Sequence, residues 1–239
     1  MQPALSGPLT GGVFYEKEAQ AEPLRAVETM ARLARQQGVT IREHDEVFDM
    51  AASEGEITSL NTTQGRILAG QYVLAAGSWT PLLARKLGIR APIEAGKGYA
   101  LIVGGFSPAV RLPTALVERK VGVTPRANGT VRLAGTMELA GLNESINTRR
   151  VEAIVRGARA FFQMPDSLTV HETWRGLRPC TPDGLPIIGR PDGWKNLVIA
   201  SGHAMLGLTL STGTAEMVAE LIAGATPRID PEPFRPSRF

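Results

Sequence analysis

A chain of 239 residues, 43% apolar and 21% charged, is long enough to bury a sizeable core without a disulfide or metal staple. Its 26 basic and 23 acidic residues leave a net charge of only +3, and the scattered basic residues argue against a nucleic-acid footprint. The lone Cys180 excludes a disulfide framework and a thiolate zinc cluster, and suits a reducing, cytoplasmic setting. No run reaches the ~18 apolar residues of a spanning helix, and residues 1–10 do not read as a secretory signal. Peripheral contact with the inner face of a membrane stays open.

Residues 1–10, with Pro3 and Pro8, read as an approach to a strand at Gly12 to Tyr15. Leu24, Val27, Met30, Ala31 and Ala34 recur at helical spacing behind Pro23, which suits a first helical turn, and Gly38 ends the pattern. Val39 to Ile41 suits a short strand. Glu46 to Ala51 alternates weakly, and Ile57 to Thr62 and Gln71 to Ala76 read as further strands. The last of these runs into Gly77, as an α/β sheet does where it presents its carboxyl edge to a ligand. A short helix over Pro81 to Leu87 stops at Gly88.

From Pro92 the character changes. Gly98 to Val103, Ala115 to Glu118, Val121 to Pro125 and Val131 to Thr136 read as strands of an antiparallel sheet, with Asn128-Gly129 as a hairpin signal. A helix over Thr148 to Phe162 and a strand over Leu168 to Trp174 follow. A turn-rich passage (179–193), a strand over Asn196 to Ala200, a helix from about Gly207 to Ala223 and a proline-bearing tail complete the chain. The layout is α/β plus α+β. Residues 1–91 belong to one lobe with a crossing near 12–20, residues 92–174 form an antiparallel lobe, residues 175–226 return to the first, and residues 227–239 form a flexible tail.

Two passages carry the chemistry. In Trp174-Arg175-Gly176-Leu177-Arg178-Pro179, Arg178 stands before a proline, where the backbone is stiff and extended, so its guanidinium can hold a carboxylate through two parallel hydrogen bonds. The alternative is an ion pair with Asp183 across its own turn. Ser201 to Gly213 forms a glycine-bearing strand-to-helix turn whose amides favour negative charge; equally, such a turn is a tight packing corner. His203 reads as a structural hydrogen-bonding residue before an acid or base, and Trp174 as a pocket wall or a core residue. His44 and His171 do not suggest a metal site.

With Tyr72 to Pro81, these passages resemble the D-amino-acid oxidase superfamily of FAD-dependent oxidoreductases, particularly its glycine oxidase, sarcosine oxidase and D-amino-acid dehydrogenase branch. The resemblance runs from Gly11-Gly12-Val13-Phe14-Tyr15 to the last helix. Its strongest marks are Gly176-Leu177-Arg178-Pro179, then Thr181-Pro182-Asp183-Gly184-Leu185-Pro186-Ile187-Ile188-Gly189, then Gly202-His203. It implies a partial FAD-binding lobe joined to an antiparallel substrate-binding lobe. Arg178 then binds the substrate carboxylate. Gly77, Ser78 and Trp79, with Gly202, His203, Ala204, Met205, Leu206, Gly207, Leu208 and Thr209, face the cofactor. Lys97, Gly98 and Tyr99 mark the crossing between lobes, and Tyr99 and Arg119 are further candidates to face substrate. The implied reaction is oxidation of an amino-acid C–N bond to an imine, then a keto acid.

The pattern departs from the family at its start, because no Gly-x-Gly-x-x-Gly opens a helix after a first strand. The expected partners are therefore a small amino acid and a second polypeptide, or a preceding segment, that completes the FAD site. The competing expectations are a flavin-bearing subunit of a multi-subunit dehydrogenase and a non-catalytic fragment or helper chain.

Overall fold

A computed structural model describes all residues, 1–239. Pro23, whose missing N–H is harmless in a first turn, opens α1 (Pro23–Gln36), and Gly38 at φ +86° follows its end. β1 (Val47–Ser53), β2 (Glu56–Thr62) and β3 (Gly65–Ile67) form an antiparallel meander. β4 (Tyr72–Leu74) leads through a 3-10 turn, Gly77–Trp79, into α2 (Thr80–Lys86). Next come β5 (Glu94–Gly104), β6 (Thr114–Leu116), β7 (Val121–Pro125), β8 (Val131–Leu139), α3 (Thr148–Arg159) and β9 (Thr169–Cys180). β10 (Ile187–Gly189), β11 (Leu197–Ser201) and α4 (Ser211–Ala223) follow.

Residues 1–20 and 96–177 make one compact unit, and residues 21–95 and 178–239 make the other. The first unit is built on the five-stranded sheet, order β6-β7-β8-β5-β9. Asn128-Gly129 forms the β7–β8 hairpin as its chemistry dictates: Gly129 takes φ +80°, and Arg126 N donates to Thr130 O at 2.8 Å. α3 packs Ile154 and Ala158, both at 0% exposure, into a core with Leu101, Val103, Val123 and Leu133. Gly157 allows its close approach, since a Cβ there would stand 3.0 Å from Val121 Cγ2.

In the second unit, β11 pairs parallel with β4 and antiparallel with β10, which leaves β4 at an edge. Its core gathers Ile57, Tyr72, Leu74, Ala84, Ile187, Leu197 and Ile199. Asn196 ties the meander to this sheet. Its buried amide accepts from Ile57 N at 2.8 Å and donates to Ile57 O at 2.9 Å. Asn196→Ala would strand both of those buried backbone groups, so a loss of about 2–4 kcal/mol is expected in urea unfolding; a loss under about 1 kcal/mol would show that water replaces the amide.

Several local expectations change. Gly12 to Tyr15 forms no strand: Val13, Phe14 and Tyr15 are exposed, and the pairing made by the amino-terminal segment is Leu5 with Phe162. Val39 to Ile41 likewise has no partner strand. β-Propensity without a neighbouring edge does not make a ladder. β9 runs six residues beyond Trp174, through Arg178 to Cys180, because β5 offers it an edge. The tail is not loose. It makes two 3-10 turns, Glu232–Phe234 and Pro236–Arg238, with Pro236 buried beside Gly189. Finally, α1 has the expected period but buries none of its residues; Leu24, Val27, Met30 and Leu33 face solvent.

Candidate functional site

Three chain segments meet in the second unit. β9 ends at Arg178-Pro179-Cys180, β11 ends at Ser201 and β4 runs out into Gly77. Cys180 bridges to His203, and Ala204 N donates to Pro179 O at 2.9 Å, so the strand end carrying Arg178 is stitched to the loop after β11. Ser201 Oγ donates to Gly77 O at 3.1 Å and accepts from Thr80 Oγ1 at 2.9 Å, which ties the third segment to the same seam. Neither Ser201 nor Thr80 was singled out by pattern, because a hydroxyl 121 residues from its partner leaves no local signature.

Glycine is required at the centre of the seam. Gly202 sits at φ +86°, and a Cβ there would stand 2.7 Å from Thr181 Cγ2. Ala204 also takes a left-handed conformation, at φ 47°. The helix expected from Gly207 starts later, at Ser211, and 204–210 is a series of turns in which Leu206 N bonds His203 O and Leu210 N bonds Leu206 O, both at 2.9 Å. No side chain caps the start of α4.

Arg178 is half-buried near the end of β9. Both oxygens of Asp183, the partner named in the alternative, accept from Arg238, at 2.8 and 3.2 Å. Those bonds, with help from Leu185 N and Thr181 and against a smaller effect of burial, hold the Asp183 carboxyl down to about 2. His203 is also half-buried, and desolvation lowers its pKa, which favours the neutral ring. Its Nε2 lies 2.9 Å from Thr214 Oγ1 on α4, a structural bond of the kind its position suggested.

The other candidates separate. Met205, Leu206, Leu208 and Trp79 are exposed apolar side chains on the loop and the 3-10 turn. Ser78 is turned inward at 4% exposure and its hydroxyl has no hydrogen-bond partner, so Gly77 and Trp79 supply the outward atoms of that turn. Tyr99 is not a surface group: it is 1% exposed in the core of the first unit, donating to Glu138 Oε2 at 2.8 Å. Arg119 lies in a 3-10 turn and not on a strand, with its stem against Gly157 of α3. Lys97 is buried, bonded to Ser145 O at 2.9 Å. Trp174 is no core residue; its indole lies over Gly176, with the Arg132 guanidinium 5.8 Å from the ring centre.

The seam suits the ring end of a flavin. Left-handed steps at Gly202 and Ala204 turn the chain away from β11, exposed apolar side chains of Trp79, Met205, Leu206 and Leu208 lie beside that turn, and the α4 start favours negative charge. The glycine-rich motif for the adenosine end is not in the chain.

Comparison with known proteins gives the family. A family model described as FAD dependent oxidoreductase (DAO) matches residues 1–221. The D-amino acid dehydrogenase of Paramagnetospirillum magneticum is 34% identical over 238 residues, 99% of this chain and 56% of the relative. That of Granulibacter bethesdensis is 32% identical over 226 residues, 93% of this chain and 53% of the relative. Among solved structures, L-proline dehydrogenase from P. horikoshii superposes with a TM-score of 0.83 at 25% identity, covering 92% of this chain and 60% of that one. Glycine oxidase from Geobacillus kaustophilus gives 0.78 at 25% identity, covering 89% and 57%. The chain thus spans little more than half the length of these curated relatives. With a family match that runs through nearly the whole sequence, the chain belongs to the DAO family of FAD-dependent oxidoreductases.

Proposed function

We propose that this chain provides the substrate anchor and the flavin-ring-facing wall of an enzyme that oxidises the C–N bond of a D-amino acid or a secondary amino acid. The observation that carries the reading is the seam itself: Pro179 and Cys180, directly after Arg178, bond to Ala204 and His203, and Ser201 at the end of β11 bonds to Gly77 after β4. The FAD ring, when bound, supplies the acceptor for the hydride equivalent leaving the substrate α-carbon. Arg178 holds the carboxylate and so fixes the orientation of that carbon. Trp79, Met205, Leu206 and Leu208 exclude water. Backbone amides of the loop and the start of α4 stabilise negative charge. His203, neutral and tied to Thr214, keeps the loop in place and moves no proton. Water then hydrolyses the imine product to a keto acid and ammonia or an amine.

A further polypeptide segment completes the cofactor site in this reading, either ahead of these residues in one chain or from a second chain. Three features support it. The outer edge of β4 is unpaired, the apolar face of α1 is uncovered, and an apolar cavity of about 500 Å³ beside β4 is lined by Val47, Met50, Leu60, Val73 and Leu83 among others. The test is to purify the chain alone and together with the portion of the P. magneticum relative outside the match. Flavin absorbance that appears with the second polypeptide and bleaches anaerobically with a D-amino acid or a secondary amino acid supports the reading. A pair that associates yet stays colourless in excess FAD overturns it.

A further inference from the structure

Arg238 is the penultimate residue, yet its side chain is only 11% exposed. All five of its N–H groups have acceptors. Nε donates to Asp183 Oδ2 at 2.8 Å, and Nη2 donates to Asp183 Oδ1 at 3.2 Å and Leu185 O at 2.8 Å. Nη1 donates to Phe234 O at 3.0 Å and Arg235 O at 3.1 Å. The guanidinium also stacks on Phe239, 4.4 Å from its ring centre. One side of this fork is thus held by the tail, which is itself seated through Pro236 on Gly189 and through Phe239 on the core. The other side holds the 181–185 turn.

That turn is the part of the chain between the two halves of the candidate site. Leu185 O, which accepts from Arg238, also accepts from Thr181 Oγ1 at 2.7 Å, and Asp183 Oδ1 accepts from Leu185 N at 3.1 Å. The Thr181 methyl group packs against Gly202 with no space for a Cβ. Thr181 follows Pro179 and Cys180, which are bonded to Ala204 and His203. A displaced turn therefore moves the Arg178 strand end and the 202–204 loop together. We propose that Arg238 is a positioning residue: from the carboxyl end of the chain it locks the 181–185 turn and thereby sets the carboxylate anchor against the cofactor-facing loop. The proposal rests on the reading of Arg178 given above. A lysine cannot substitute, because a compact ammonium does not span both carboxylate oxygens and a carbonyl at once.

Hydrogen exchange followed by mass spectrometry on the 239-residue chain is the first test. In Arg238→Gln, peptides covering 179–189 and 201–206 should exchange about tenfold faster, while those covering 121–139 keep the parent rate. Arg238→Lys should fall with Arg238→Gln. Asp183→Asn should raise exchange in the same peptides, and the double variant should fall short of the sum of the two, since both changes remove the Asp183–Arg238 pair. Unchanged exchange in 179–206, or a rise shared equally by 121–139, overturns the proposal; the second outcome would make Arg238 a contributor to global stability alone. The second test is the affinity of the flavin-loaded, completed enzyme for propionate, a carboxylate without an amine. It should weaken about tenfold in Arg238→Gln, because a small misplacement of an orienting group is costly; an unchanged affinity also overturns the proposal. If the parent enzyme does not bind propionate, the reading of Arg178 fails, and the exchange result still decides whether Arg238 holds the turn.

Discussion

Arg178→Ala is expected to weaken transition-state binding of carboxylate substrates in the completed enzyme by about 2–5 kcal/mol, a loss of roughly 30-fold or more in kcat/KM. The reason is geometric as well as electrostatic. Arg178 stands before Pro179, whose carbonyl accepts from Ala204 N, so its backbone is fixed against the 202–204 loop, and in the proposed reading its fork meets the substrate from a rigid base. Alanine removes both parallel hydrogen bonds and leaves a substrate carboxylate with no charge partner. Arg178→Lys keeps a point charge without the fork and should fall between the two. Steady-state kinetics with an amino acid and with its decarboxylated amine make the check: the amine should not distinguish Arg178→Ala from the parent. An amino-acid kcat/KM that is unchanged in Arg178→Ala would take this residue out of the site.

The second large effect falls on the fold of the site. Gly202→Val should destabilise the chain by about 2–5 kcal/mol, the sum of a left-handed penalty of about 1–2 and an overpacking penalty of about 1–3. Both arise because Gly202 has φ +86° and because Thr181 Cγ2 would lie 2.7 Å from the new Cβ. Against a typical total of about 5–15 kcal/mol, that is a large fraction. The two parts can be separated. Thr181→Ser removes the obstructing methyl group and keeps the hydroxyl that bonds Leu185 O, so it should restore part of the stability lost in Gly202→Ala and leave the backbone part. Gly129, at φ +80° with nothing within 4 Å of an added Cβ, is the control, and Gly129→Ala should cost the backbone part alone. Urea unfolding gives each value. A Gly202→Val variant within about 1 kcal/mol of the parent would mean that the seam yields easily, and the rigid placement argued for it would be lost.

The candidate site residues differ in how far their own chain neighbours announce them. Gly77, Gly202 and Arg178 carry their signals locally: a glycine after a buried strand, a glycine before a helix, an arginine locked before proline. Their partners do not. Thr181 and Gly202 are chain-distant, and Arg238 and Asp183 are 55 residues apart, so no spacing rule joins them. The Arg178–Asp183 alternative arose for that reason. Two charges close in sequence suggest a pair until the fold brings in a third, better oriented group. Strand alternation says which residues share a face, but not which face a helix covers: Tyr99 shares a core with Ile154 of α3, and Arg119, in a 3-10 turn, lies beside Gly157.

Elements with a strong internal period or an obligatory turn residue were legible from their own residues. α1, α3 and the Asn128-Gly129 hairpin follow from spacing and turn chemistry, which act over three or four positions. Features that depend on a neighbour were not legible. Val13 to Tyr15 and Val39 to Ile41 have strand-forming side chains but no edge to pair with, whereas β9 extends past Trp174 because β5 lies beside it. The tail, polar and rich in proline, is held by one guanidinium and a buried Pro236. Helical and hairpin signals are local because their hydrogen bonds close within a few residues; ladder extent, the burial of a helix face and long-range ion pairs depend on what folding brings alongside.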